Sequence, residues 1–500
     1  MPRIKNISFL EKLPLVLMGG FFLLSALLTS CMDEEEFSTS PSDRLAFSQD
    51  SVLFDTVISG APTNTYTFQV YNRTKKALRL SRVYLEGGAE SPFKANVDGT
   101  YLDGGSASGF EVSAGDSLRV FLNVSAPVSG EDLPQLIADK LVFVTEAGSE
   151  QKVVLQAYGQ DVEEMKAATL TADTTLSSRK PYQVFDSLVV APGATLTIEA
   201  GTRLYFHPGA SIIVKGRILV RGSLAEPVIF RGDRLGNMFS QQPYDRIPGQ
   251  WGGVVLAGGS YGNELNYADI HSGSFGIRCD SSDVSQSKLK MENSILHNVS
   301  GDALYSKNCK IFVGNSQITN ASGNCVTLLG GDATFVHCTI ANFYAFTGGR
   351  GVALSYANVD GSSRLPLLKA DFLNCLISGY SDDEIMGAQS ERHKEDAFNY
   401  SFRNCLLNTP EVESGHIVNC FWDNDEHGEF YREKNFYPEF DLDKLLFTFS
   451  LNAKSQAVGN ADTAITSRYY PRDLHGNERL ADGKSDIGCY ESQPAEEDKE

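Results

Sequence analysis

Asn293-Ser294-Ile295-Leu296, Asn315-Ser316-Gln317-Ile318, His337-Cys338-Thr339-Ile340, Asn374-Cys375-Leu376-Ile377 and Asn404-Cys405-Leu406-Leu407 are five copies of one short pattern. Tyr267-Ala268-Asp269-Ile270 is a looser copy upstream. Their last residues are separated by steps of 26, 22, 22, 37 and 30. The apolar runs are too short for helices. A step near 22 fits one coil of three short strands and three turns, the repeat of a parallel β-helix. Longer steps are coils with inserted loops. Period-two alternation puts Ser294, Ser316, Cys338, Cys375 and Cys405 in one inward column, and Leu296, Ile318, Ile340, Ile377 and Leu407 in the next. Coils stack about 4.8 Å apart, so equivalent side chains touch. Asn293, Asn315, Asn374 and Asn404 are then expected to hydrogen-bond up the stack as a ladder.

The eight cysteines from Cys279 to Cys489 include no C-x-x-C pair, which argues against a zinc ribbon. In an inward column a cysteine acts as a small buried hydrophobe. Disulfides and a metal remain the alternatives. Upstream, Ala191-Pro192-Gly193-Ala194-Thr195 recurs as His207-Pro208-Gly209-Ala210-Ser211. Between such copies the strands are short and glycine makes the corners.

Val190–Leu196, Gln250-Trp251-Gly252-Gly253-Val254, and the endings Pro471–Arg479 and Asp486–Glu491 resemble right-handed parallel β-helix proteins of the pectate-lyase-like superfold. The likeness is nearest to Bacteroidetes surface lipoproteins and covers about 300 residues. It implies a fold and no single activity, because the superfold carries lyases, hydrolases, adhesins and scaffolds.

Residues 45–162 have a different grammar. Tyr66, Phe68 and Val70, then Leu118, Val120, Leu122 and Val124, then Leu141 and Phe143, then Val153 and Leu155 alternate with polar residues. Short strands separated by turn signals predict a β-sandwich. Asn72, Val112–Ser117 and Val124-Ser125-Ala126-Pro127 resemble Ig-like domains of the Hydin type, which implies a spacer or docking module. The fold class is therefore all-β: an N-terminal Ig-like β-sandwich followed by a right-handed parallel β-helix.

At the start of the chain, basic Arg3, Lys5 and Lys12 precede an apolar run from Leu15 to Leu28. Leu28-Thr29-Ser30-Cys31 then resembles the lipobox of bacterial lipoproteins, and the resemblance implies a lipid on Cys31 after signal cleavage. The run is too short to span a bilayer, which takes about 20 residues. Met32-Asp33-Glu34-Glu35-Glu36 looks like the acidic export signal that places such lipoproteins on the outer face of the outer membrane. Without residues 1–30 the chain has 40 Lys+Arg against 62 Asp+Glu, a net charge of −22, which repels nucleic acid. The expected division is a signal peptide (1–30), an acidic tether (31–44), the sandwich (45–162), a linker (163–179), the β-helix with a C-terminal cap (180–490) and an acidic tail (491–500).

Chemistry on such a solenoid is sought on its outward columns. One reads His271, His297, Thr319, Ala341, Ser378 and Asn408. Two stacked imidazoles can share a proton, but this reading gives them no acid or arginine partner. It assigns lipidation to Cys31 and names no catalytic, cofactor-binding or metal residue. Insertions within 343–370 and 378–400 are expected to carry recognition. Asp382, Asp383 and Glu384 are either a calcium site or a solvated loop. A third insertion, Arg234–Gly249, offers Phe239, Tyr244 and Arg246 to the side of the helix or to a sugar. The expected function is a lipid-anchored binding or scaffold protein on the outer membrane, with a glycan or a surface protein as partner. The alternative is a polysaccharide lyase or glycoside hydrolase.

Overall fold

The computed structural model describes residues 35–239, 242–437, 440–441 and 444–492. Cys31 and the acidic residues before Glu35 lie outside them, as does the tail from 493. The chain divides into two compact units.

The first comprises residues up to Leu53, with Thr65–Val124 and Ala138–Gln156. It contains antiparallel strands of a five-stranded and a six-stranded sheet. Phe68, Val70, Val120, Leu122, Phe143 and Leu155 are fully buried or nearly so. Phe47 of one sheet meets Phe143 of the other, with ring centroids 5.3 Å apart. Asn72 explains its own place in the motif. It is buried, and its amide donates to the carbonyls of Lys76 (2.8 Å) and Val112 (2.9 Å) while Thr74 N–H donates to its oxygen. The tether reaches less far than expected: Phe37 bridges Ala77, and Ser38 N–H donates to the Ala77 carbonyl at 2.8 Å.

The second unit holds the parallel β-helix. Three long sheets of eleven, nine and ten parallel strands run its length, and successive coils add strands to each. The expected inward column is reproduced residue for residue: Ile270 pairs with Leu296, Leu296 with Ile318, Ile318 with Ile340, Ile340 with Ile377, and Ile377 with Leu407. It continues upstream through Phe230 and Leu204. Ser294, Ser316, Cys338, Cys375 and Cys405 are fully buried beside it. Smallness is only part of their role. Ser294 Oγ accepts Ala268 N–H, Ser316 Oγ accepts Ser294 N–H, and Cys405 Sγ accepts Cys375 N–H, so each caps a corner amide of the preceding coil. The eight downstream cysteines are all free.

The asparagine ladder forms only in part, ending at Asn315 because Asn374 turns instead to His337 and the Asp462 carbonyl, and it has a second cause. Asn293 donates to Asn266 and Asn315 to Asn293, both at 2.8 Å. Residues 293, 315, 337, 374 and 404 also share φ near +50°, the left-handed region that asparagine tolerates better than other side chains. The Pro-Gly repeats have a related origin. Gly193 and Gly209 sit at φ +82° and +84°, and Ala194 and Ala210 N–H close turns onto Ala191 and His207.

Two boundaries need correction. Residues 163–179 are not a linker: Glu163–Lys166, Thr169–Leu170 and Thr174–Leu176 pair with Tyr182–Phe185, Ser187–Val190 and Thr195–Glu199, forming the first coil. Nor is the 378–400 insertion wholly outside the coils. Ile385–Ala388 is the last strand of the nine-stranded sheet, and Glu384 is fully buried. The segment is therefore part of the helix itself. Asp382, Asp383 and Glu384 do not converge on a cation. Asp382 pairs with Arg432, Asp383 accepts Ile385 N–H, and Glu384 accepts the N–H groups of Ser381 and Ala353.

Burial pushes Glu384 up to about 7, against those backbone hydrogen bonds. Its folded value exceeds the unfolded one, about 4.3, so the folded chain keeps a proton that the unfolded chain releases between these values. This contribution is intact below about pH 4.3 and falls by about 1.4 kcal/mol per unit as pH rises to about 7. Denaturant midpoints at about pH 5 and about pH 8 are expected to differ, and Glu384→Gln to narrow that difference, Glu491, likewise raised to about 7 by burial, keeping its own share.

Candidate functional site

The C-terminal segment decides where a site can be. After the last coil, residues 423–490 fold back over the outer face of the eleven-stranded sheet. Phe436, Phe449, Leu451, Ile487, Cys489 and Tyr490 pack on Ala341, Leu376 and Leu406. The outward column expected to face solvent is therefore covered: Thr319, Ala341 and Ser378 are fully buried, and Asn408 is nearly so. The cover is polar as well as apolar. Tyr490 Oη donates to Gln317 Oε1 at 2.7 Å, and Cys489 N–H donates to Thr339 Oγ1 at 3.1 Å.

Next to this cover lies a cleft of about 270 Å³. His297, Asn298 and Asn320 come from the sheet, Arg246 from the 234–249 insertion, and residues 445–450, His475 and Tyr490 from the C-terminal segment. Asn298 donates to the Arg246 carbonyl at 2.8 Å, and Arg246 Nη1 donates to the Lys444 carbonyl at 2.7 Å. These bonds hold the guanidinium at the edge of the cleft. The His475 ring lies 4.5 Å from the Tyr490 ring.

Behind His297 stands a three-residue cluster. Asp269 and His271 are two apart on the strand Ala268–His271, hence on one face, and His297 is the register partner of His271 on the next coil. The two imidazole centroids are 4.7 Å apart. Asp269 Oδ1 lies 2.8 Å from His271 Nδ1 and 3.3 Å from His297 Nε2. The sequence reading that gave these histidines no acid partner is thereby corrected. The acid stands one residue before the inward Ile270, and the outward column of His271 one residue after it. The D-x-H spacing on a strand was the available signal.

Burial alone would raise Asp269, but the two histidines hold its carboxyl well below the usual carboxylate range. Burial pulls His271 down, more strongly than Asp269 lifts it. For His297 burial acts in the same direction, and the hydrogen bond and charge of Asp269 outweigh it, leaving the ring above its ordinary value. The cluster thus favours an ionised carboxylate and makes His297 the more basic of the two rings.

The Gln250–Val254 motif supports this cluster from inside. Trp251 stacks on Phe206 with centroids 4.1 Å apart and donates Nε1–H to the His271 carbonyl at 2.8 Å. Gly253 sits at φ +133°, where an added Cβ would meet the Phe275 carbonyl oxygen at 2.5 Å. Arg246 was singled out in its insertion from sequence. His475 and Tyr490 fall in the endings that carry the fold resemblance, but a fold-back from over 150 residues away leaves no periodic trace of where they go.

Residues 168–301 match the pectate-lyase like beta helix domain family. The β-helix is of that type. Among solved structures, the chain is similar to the catalytic unit of a GH87 alpha-1,3-glucanase from Streptomyces thermodiastaticus, at 12% identity over 75% of this chain and 91% of that one, with a TM-score of 0.25. It is also similar to a PapD-like domain of human CEP192, at 11% identity over 25% and 92%, TM-score 0.17. A third, the Vibrio cholerae VesB protease, has 15% identity over 24% of this chain and TM-score 0.18, and the match spans only 33% of that protease. At these scores none of them bears on activity. No curated protein matches the sequence.

Proposed function

We propose that this protein is a lipid-anchored binding protein whose β-helix holds an anionic glycan in the cleft beside the C-terminal cover. The observation that carries this reading is the cleft's lining. Arg246, His297 and His475 supply cationic or hydrogen-bonding groups, Asn298 and Asn320 supply amides, Tyr490 and Phe447 supply rings, and no carboxylate lines it among the described residues. Such a lining recognises a carboxylated or otherwise acidic sugar. Cleavage of a glycosidic bond commonly uses two flanking carboxylates. Of the acids behind the cleft, Asp269 is engaged by two imidazoles and Asp245 pairs with Arg231 at 3.4 Å. One observation favours the lyase alternative: the same Asp269–His271–His297 cluster is a proton-transfer group in form.

Titrating the mature chain without its lipid-bearing cysteine (residues 32–500) against acidic and neutral oligosaccharides tests the binding reading. Acidic ones are expected to bind, and Arg246→Ala to weaken them by about tenfold or more, corresponding to about 1.4 kcal/mol. Equal binding of neutral sugars, or an unaffected variant, would contradict it. Binding to neither class would move the proposal to a protein partner.

The anchor is part of the same proposal. The lipobox motif supports lipidation of Cys31 and the acidic residues after it support surface display on the outer membrane. Cys31→Ser is expected to abolish incorporation of a fatty-acid analogue and release the chain from membranes. Equal labelling of wild type and variant would refute the anchor and leave the cleft reading intact.

A further inference from the structure

We propose that Asp269, His271 and His297 form a binding site for one divalent transition-metal ion of the zinc class. A carboxylate oxygen and one nitrogen from each imidazole lie within 4.8 Å of one another. The Asp269 Oδ1 contacts, 2.8 Å to His271 Nδ1 and 3.3 Å to His297 Nε2, are close to the edge of a tetrahedron around an ion with metal–ligand distances of about 2.0–2.1 Å, which is about 3.3 Å. Closing the third edge needs only a movement of the His297 ring, whose side chain is 25% exposed and faces the cleft.

Two further features fit an ion. One oxygen of Asp269 serves both imidazoles, so a proton on each ring points at the same acceptor, a place where a divalent charge can stand instead. The ligands also sit on rigid backbone: adjacent strands in register fix the two histidines, and Trp251 Nε1–H fixes the His271 carbonyl. Two imidazoles and one carboxylate select zinc, cobalt, nickel or iron(II) over calcium and magnesium, which prefer all-oxygen cages. A three-residue set leaves a coordination position open on the His297 side, toward the cleft. The assignment does not depend on what the cleft binds.

The experiment uses the mature chain, stripped with a chelator and titrated with zinc, and with cobalt(II) for its visible absorption. One equivalent is expected to bind with a dissociation constant on the order of 1 μM or tighter, with a cobalt spectrum showing nitrogen ligation. Asp269→Asn and His297→Gln are each expected to weaken binding by about 100-fold. His207→Gln, which alters the separate surface pair between His207 and Asp233, is expected to leave it unchanged. Metal-free thermal unfolding of each variant separates lost ligation from lost fold. Wild-type protein that binds no stoichiometric ion would overturn the proposal. So would folded Asp269 and His297 variants that bind as wild type does.

Discussion

Arg479→Met is expected to destabilise the protein by about 3–5 kcal/mol, the cost of breaking a buried ion pair from one side. Arg479 has no exposed side-chain surface. Its guanidinium donates to Glu491 Oε1 at 2.7 Å, Asn315 Oδ1 at 2.8 Å and the Gly488 carbonyl at 3.1 Å. It therefore fastens the C-terminal segment to the asparagine column of the helix. Methionine fills much of the space but leaves Glu491 without its cation and Asn315 without its donor, both largely buried. The same segment builds one wall of the cleft, so the variant is also expected to lose glycan affinity. Replacing the pair together, as Arg479→Met with Glu491→Leu, is expected to recover most of the stability, since no charge is then stranded. Urea unfolding checks both variants. A loss below about 1 kcal/mol in the single variant would show that the fastening is not where the energy lies.

Phe372→Ala is expected to cost a further about 3–5 kcal/mol on its own background, through a different mechanism. Phe335, Phe372 and Phe402 are register partners in the ten-stranded sheet and stack inside the helix, with centroids 5.0 and 4.9 Å apart and ring planes within 14°. All three are essentially fully buried. In a solenoid each coil contacts chiefly its neighbours, so losing the middle ring removes both stacking interfaces at once and leaves a cavity that two flanking coils cannot close. Equilibrium unfolding and amide exchange in the strands Leu367–Leu373 and Ser401–Arg403 report the loss. Protection unchanged in those strands would contradict it.

What was legible in the sequence follows from periodicity. The column from Ile270 to Leu407 could be counted because each coil repeats one inward apolar residue, and inward positions tolerate little else. The asparagines were legible as a ladder but not as left-handed corners, because ladder and corner select the same residue. Residues 163–179 were read as a linker because a first coil has a neighbour on one side only and keeps a weaker pattern; Thr169 and Thr174 stand where later coils have Val189 and Leu196. The cleft was the least legible part. Arg246, His297 and Tyr490 meet across nearly 250 residues of chain, and the segment that brings Tyr490 there has almost no regular structure beyond the helix Thr463–Tyr469. Asp269 was within reach of a reading that followed the outward face in both directions from Ile270.

The most direct test of the account is an end-group assay on whichever glycan the mature chain binds. Protein and glycan are incubated at saturation, with and without zinc, and new reducing and unsaturated ends are followed over many hours. The account predicts saturable binding that Arg246→Ala weakens, and no new ends under either condition. New ends that disappear in His297→Gln, with binding retained, would contradict it and make the Asp269–His271–His297 cluster the active site of a glycan-cleaving enzyme.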